Sequence, residues 1–401
     1  MKRPARIQSP HPPGATTIRE VAAEAGVSTA TVSRVLGGMN GVTVELRERV
    51  RGAAAKLIYY PNRLARGLRV GQRKVIGVII PDLRNPFFTG VAHGVEGALY
   101  KAGYTLQLGN SDGQPEREQA QLGILRGEGV AGLVFIAGNR PAANYDVLRS
   151  WDIPVVAVDR SPGGLEVDLV HSNNREGMRQ AVLHLLALGY PEVAIVTGPA
   201  GIDVAEERLG GYRDALRSAG RPVREELIIH SDFRQEGGQA AMARLLDLAQ
   251  PPRAVVVANN LMTLGALEVS DERHVRIPED LALVGFDDMP WATLIRPPLT
   301  AVAQSAEELG RVAAQLLLER LEDPSRVVRQ VVLPTRLMVR ASCGARAAGP
   351  AAPPRQPAGG GQAAVEAASR GGKNPSAAAI VNSPLGVLVS PRHQPRSPAR
   401  M

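Results

Sequence analysis

The sequence predicts an N-terminal all-α helix-turn-helix head with a hinge helix behind it, an α/β core of two doubly wound parallel-sheet lobes, and a disordered C-terminal tail. Three observations carry this reading. Residues 17–36 hold two helical patterns joined at a glycine, each with its own cap. Residues 75–342 alternate short, nearly continuous Val/Ile/Leu runs with helical patterns, and residues 345–401 are dominated by Ala, Pro, Gly, Ser and Arg. The expected boundaries are 1–15 disordered, 16–61 head, 62–72 hinge and linker, 73–342 core and 343–401 tail. Within the core, one lobe takes about 73–172 and 305–332 and the other about 173–304 and 333–342.

The head follows from caps and spacing. Thr17-Ile18-Arg19-Glu20 fits a capping box, so a helix starts at Ile18 with Val21, Ala22 and Ala25 on its apolar face. Gly26 supplies the permissive backbone of a tight helix-helix turn. Ser28 caps a second helix, in which Val32, Val35 and Leu36 point inward and leave Thr29, Ala30, Ser33 and Arg34 outside. That outer face is short, polar and basic, as a helix entering a DNA major groove must be, although two amphipathic helices around a glycine also suit an ordinary helical subdomain. A third helix follows Thr43, with Leu46, Val50, Ala53, Ala54 and Leu57 on one stripe, and ends at Tyr60-Pro61.

Charge separates the two readings of the head. Residues 1–74 hold 14 Lys or Arg against 4 Asp or Glu, the excess that phosphate neutralisation needs. The last 57 residues add a net +6, so within a total of +8 the middle of the chain is acidic at −8. A molecule so divided approaches DNA head first. The segment Asn62–Arg69, which contains Gly67, is too short to hold a helix alone in water.

In the core, strands are expected at Val75–Ile80, Tyr104–Leu108, Gly132–Ala137, Pro154–Val158, Val193–Thr197, Leu227–His230, Ala254–Ala258 and Leu281–Gly285. Apolar runs of this length, spaced by helical patterns, indicate parallel strands covered on both faces. Eight such units exceed one sheet of usual size, so the break at Leu169–Asn174 divides two lobes and Thr300–Gln304 carries the chain back. Paired open sheets bind ligands where the carboxyl ends of their strands face each other. The tail cannot bury enough apolar surface to offset its ordering entropy, and Leu385–Val389 within it has no assigned role.

Several functions are excluded. The single cysteine, Cys343, rules out an intrachain disulfide, and the seven scattered histidines give no metal-ligand spacing, so no metal and no cofactor are expected. There is no apolar run of membrane-spanning length and no signal-peptide core, which points to the cytoplasm and argues against an exported binding protein. No phosphate-binding Gly-rich loop follows a strand and no nucleophile elbow is present, which disfavours a sugar-modifying enzyme.

Val21–Leu36, written VAAEAGVSTATVSRVL, and Tyr60–Arg69, written YPNRLARGLR, resemble the lactose-repressor (LacI/GalR) family of bacterial transcription regulators. The resemblance implies that Thr29, Ala30 and Arg34 read base edges, with Thr17, Ser28, Thr31 and Ser33 also at the DNA. An Arg34–guanine pair would be worth about 1–3 kcal/mol of discrimination. Ala30 offers only a methyl, and a purely structural role suits it equally. The family's hinge helix falls on Asn62, Ala65, Arg66 and Leu68, with Leu68 as the minor-groove wedge. From the residues alone, a linker helix packed through Leu64 and Leu68 is the alternative.

The core resembles the periplasmic sugar-binding-protein fold of the same family. Carried over position by position, the resemblance implies an effector cleft built from Asn85, Phe87, Phe88, Asp159, Arg160, Arg208, Phe233, Asn259, Asp287 and Gln304, with Trp291 near its rim. Aromatic faces beside planar donors and acceptors are what polyol recognition requires. The same residues admit structural roles: Asp159-Arg160 as an internal ion pair, the two Phe as core, Asp287 as a helix cap. Ile202, Asp203 and Val204 depart from purine-responsive relatives and argue against a purine, and Ser172-Asn173-Asn174 departs from the common Asp-Asn pair. The implied protein is a homodimeric repressor on a near-palindromic DNA operator, modulated by a small sugar. A non-sugar metabolite or a corepressor would use the same fold. Without a C-terminal heptad repeat, a dimer is favoured over a tetramer.

Overall fold

The computed structural model describes residues 16–36, 41–57, 59, 74–138, 145–345 and 388–389. The chain divides into two compact units, 1–73 and 74–401. In the first, helices α1 (Ile18–Glu24), α2 (Thr29–Leu36) and α3 (Val44–Lys56) enclose a small core of Val21, Ala22, Ala25, Val32, Val35, Val50, Ala53 and Ala54. The capping box forms in full: the Glu20 amide donates to Thr17 Oγ1 and the Thr17 amide to Glu20 Oε2. Gly26 takes a left-handed φ of 62° between α1 and α2. α3 stops at Lys56, earlier than the Tyr60-Pro61 expected, because the amides of Leu57 and Tyr59 turn back to Ala53 and Ala54. The hinge positions Asn62, Ala65, Arg66 and Leu68 lie outside the described residues.

The second unit holds two sheets. The first lobe's sheet has seven strands in the order β13-β11-β5-β4-β3-β1-β2. They are β1 (Val75–Ile80), β2 (Thr105–Asn110), β3 (Gly132–Phe135), β4 (Val155–Val158), β5 (Asp168–Ser172), β11 (Gln330–Leu333) and β13 (Leu388–Val389). The second lobe's sheet has six, in the order β12-β10-β9-β8-β6-β7. These are β6 (Ala194–Thr197), β7 (Ile228–His230), β8 (Ala254–Val257), β9 (Ala282–Phe286), β10 (Thr300–Ala303) and β12 (Arg336–Met338). All pairings are parallel except those of β12 and β13.

Helices α4 (Pro86–Lys101) and α10 (Ala306–Glu322) cover one face of the first sheet over Ile76, Val78 and Ile80; α5 (Pro115–Glu128) covers the other over Ile79 and Leu133. The second sheet is flanked by the pairs α6 (Asn174–Ala187) with α7 (Asp203–Ser218) and α8 (Gln235–Leu246) with α9 (Asn260–Glu272). Burial on both faces explains the unbroken aliphatic runs in the strands. The chain crosses between lobes after β5, after β10 and after β11, and every strand but the antiparallel β12 and β13 ends toward a shared cleft.

Three expectations need correction. The first part of Leu169–Asn174 is an unread strand, Asp168–Ser172, with the Asp168 carboxylate held by Arg320 at 2.8 Å; a leading charge had hidden it, and the chain passes to the second lobe directly after it. β11 and β12 also went unread, because Pro334 and Thr335 interrupt their apolar pattern. The tail begins later than 343, since Cys343 is fully buried and Ala345 packs on the second lobe's core.

Candidate functional site

The head presents one chemically distinct face. Along α2, Val32 and Val35 are buried while Thr29, Ala30, Ser33 and Arg34 are exposed beside Ser28. Ser28 Oγ accepts the Thr31 amide at 3.1 Å and lies 2.9 Å from Thr31 Oγ1, so these two hydroxyls first serve to begin the helix. Thr17 likewise spends its hydroxyl on the α1 cap. Such a face is a short rod of small polar side chains with one guanidinium, narrow enough for a major groove.

The cleft is a solvent-connected space of about 520 Å³ between the lobes. Asn85, Phe87, Phe88, Asp159, Arg160, Arg208, Phe233, Asn259, Asp287 and Gln304 all line it. Trp291 does not: it sits on the turn Pro290–Thr293, whose 3-10 geometry directs its ring against the second lobe's core. Four residues that line the cleft have left-handed backbone without being glycine: Asp112, Asp159, Phe233 and Asp287, with φ between 52° and 71°. Side chains pay strain for that conformation, and it clusters where geometry is fixed for binding. Phe233 also needs Gly198, since a Cβ there would lie 2.1 Å from its ring.

The polar groups are held in advance. Arg160 donates to the Ala137 carbonyl at 3.2 Å, pairs with Asp159 at 3.5 Å, and lies 5.6 Å from each of the Phe88 and Phe233 rings. Burial pushes the Arg160 guanidinium below its ordinary value, opposed by Asp159. Arg208 donates to Asn174 Oδ1 at 2.9 Å and to the Ala258 carbonyl, and stacks 3.9 Å from the Phe286 ring. Asn259 is used internally at both ends, accepting from the Met262 amide and donating to the Phe233 carbonyl. Gln304 donates to Asp287, whose carboxyl burial pushes up against the pull of Arg208. Among the described residues, Asp159 Oδ1 and Gln304 Oε1, both buried, have no hydrogen-bond partner, so two acceptors await donors.

The structure adds contacts between the lobes that the sequence did not show. Asn260 donates to Asn85 across the lobes at 2.8 Å, the Ser161 amide to Asp203 at 3.0 Å, and Arg234 to the Asp112 carbonyl at 3.0 Å. Asp112 stands in an Asp-Gly turn directly after β2, a signal that could have flagged it; the others have no local signature, because each partner is 42 to 175 residues away. Asn174 proves to be the residue that fixes Arg208 at the first crossover.

Comparison with known proteins matches both units. A family model described as bacterial regulatory proteins, lacI family, covers residues 17–62, and one described as a periplasmic binding protein-like domain covers 182–343. The ribose operon repressor of Escherichia coli (strain K12) is 32% identical over 327 residues, 81% of this chain and 99% of that protein. Among solved structures, a transcriptional regulator CelR–cellobiose complex superposes with a TM-score of 0.63 at 35% identity, covering 82% of this chain and 99% of its own. The lac repressor dimer bound to operator and the anti-inducer ONPF gives a TM-score of 0.72 at 27% identity, over 82% and 99%.

Proposed function

Since this chain belongs to the lacI family of bacterial regulatory proteins, we propose that it is a homodimeric transcriptional repressor whose grip on a near-palindromic operator is released by a monosaccharide in the interlobe cleft. The family sets the coarse activity, a DNA-binding repressor and not an enzyme. The α2 face with Thr29, Ala30 and Arg34 reads the half-site, and Asn62, Ala65, Arg66 and Leu68 complete the contact through the hinge. No described helix is long and apolar enough to cross a membrane, and we place the protein in the cytoplasm with its DNA.

The observation that carries the effector reading is the pair of unpartnered buried acceptors, Asp159 Oδ1 and Gln304 Oε1, set among Phe rings and pre-held guanidinium groups. A sugar supplies hydroxyl donors to the acceptors and C–H faces to the rings. Three hydrogen bonds, Asn260–Asn85, Ser161–Asp203 and Arg234–Asp112, already bridge the lobes around this space. The ribose operon repressor, named for a pentose, is the relative that fits this best. Val204 lines the cleft and Asp203 is spent on Ser161, which leaves no charged contact for a purine there.

Calorimetric titration with ribose, other pentoses, hexoses and purines tests this, followed by operator titration with and without the ligand found. A pentose that binds and weakens operator binding is the expected result. Binding of a purine or a disaccharide in place of any monosaccharide would replace the effector class and leave the repressor reading standing.

A further inference from the structure

We infer that Glu118 is a positioning residue for the effector cleft: its carboxylate, acting through the Ala137–Gly138 peptide, holds the Arg160 guanidinium in place. Glu118 shares the core-facing side of α5 with Leu122 and Leu125 and is only 2% exposed. A carboxylate at such a position is costly unless it has partners. It has two. The Gly138 amide donates to Glu118 Oε2 at 2.8 Å. The Tyr145 hydroxyl, on a ring set edge-on against Phe135, donates to the same carboxylate, and burial keeps that phenol protonated.

One peptide unit carries both ends of the link. While its N–H points to Glu118, its carbonyl accepts from Arg160 at 3.2 Å. A carboxylate at one end of an amide and a guanidinium at the other polarise it in the same direction, so each bond strengthens the other. Arg160 is in turn the cation beside Asp159 and the Phe88 and Phe233 rings of the cleft. Burial pushes the Glu118 carboxyl above its ordinary value of 4.5, against the pull of Gly138, Tyr145 and Arg160. Among the described residues these are the groups of other elements that face it; Asp159, Asp203 and Arg208 stand one step further, around Arg160 and Tyr145. The link is made with Glu118 ionised and is lost as pH falls through that raised value.

Two measurements on the full-length protein test this, the first without any effector. Isotope labelling at alanine carbonyls and glycine nitrogens selects Ala-Gly peptides, Ala137–Gly138 among them. Its amide signal is expected to move with pH as Glu118 titrates above 4.5, and to stand still in Glu118→Gln. A signal that is flat in the parent, or that moves equally in both proteins, would overturn the inference. The second rests on the effector reading above. Glu118→Gln keeps an acceptor for Gly138 and removes the charge, and is expected to weaken calorimetric binding of ribose about fivefold at neutral pH. The gap should close as pH falls, since both side chains are then neutral; Asp287, whose carboxyl burial also raises, titrates in parent and variant alike. Equal affinities at neutral pH, or a gap that pH leaves unchanged, would also overturn it. Should the parent bind no ribose, it is the effector reading that fails, and the amide titration decides the role of Glu118 alone.

Discussion

The α2 face of the head and the interlobe cleft, the two surfaces proposed above for recognition, are built in opposite ways. The head's outer face is eight consecutive residues long at most, exposed, and held by a core that its exposed side chains do not join. The cleft draws on strand ends scattered from Asn85 to Gln304, is buried, and fixes nearly every polar group before any ligand arrives. Surface reading therefore separates from stability, whereas cleft recognition is bound up with it. A side chain on the outer face of α2 can change without cost to the fold; one in the cleft cannot.

The largest test of that contrast is Asp159→Ala. It removes the carboxylate beside the buried Arg160 guanidinium, and breaking a buried charge pair costs about 3–5 kcal/mol. Urea unfolding should show the loss in stability and calorimetry the loss of effector binding; a variant as stable as the parent would break the comparison on the cleft side. Next, Arg34→Ala should cost about 1–3 kcal/mol of operator discrimination at one base step, with the unfolding midpoint unchanged. Operator variants in a gel-shift series measure the first, and a shifted midpoint would break the comparison on the head side.

Smaller effects sharpen it. Asn260→Ala deletes the interlobe bond to Asn85 and should weaken effector binding by about 0.5–1.5 kcal/mol, while operator affinity without effector stays as it was. The smallest effect lies in the α1 cap. The Thr17 amide, and after it the Thr17 hydroxyl, hold the exposed Glu20 carboxyl below its ordinary value of 4.5. A depressed carboxyl adds stability above that value and loses it as pH falls through the lower folded one. The head's melting transition should thus lose a little stability below about pH 4.5, and Glu20→Gln should flatten that slope, which circular dichroism against pH would show.

Legibility followed the same division. Thr17, Gly26, Ser28 and the buried stripe of α2 were readable because caps and helical period act within a few residues. Eight strands were readable because burial on both faces writes itself as aliphatic runs. Asp168–Ser172 was not, since its leading carboxylate is satisfied by Arg320, 152 residues on. Trp291 misled because its closeness in sequence to Asp287 says nothing of how a 3-10 turn aims a ring.

What the sequence by itself determined is therefore whatever local backbone energetics and hydrophobic period encode: the helix-turn-helix head, the exposed polar face of α2, the alternating core and the strand-end positions that resemble a sugar site. Only the tertiary structure decided which of those side chains face the cleft and which are spent holding others. It alone showed Asn259 serving Phe233, Asn174 fixing Arg208, and Asn260, Asp203 and Arg234 bridging the lobes. Those are contacts between residues tens to hundreds apart, and their strength comes from burial and mutual orientation, quantities that no local pattern of residues contains.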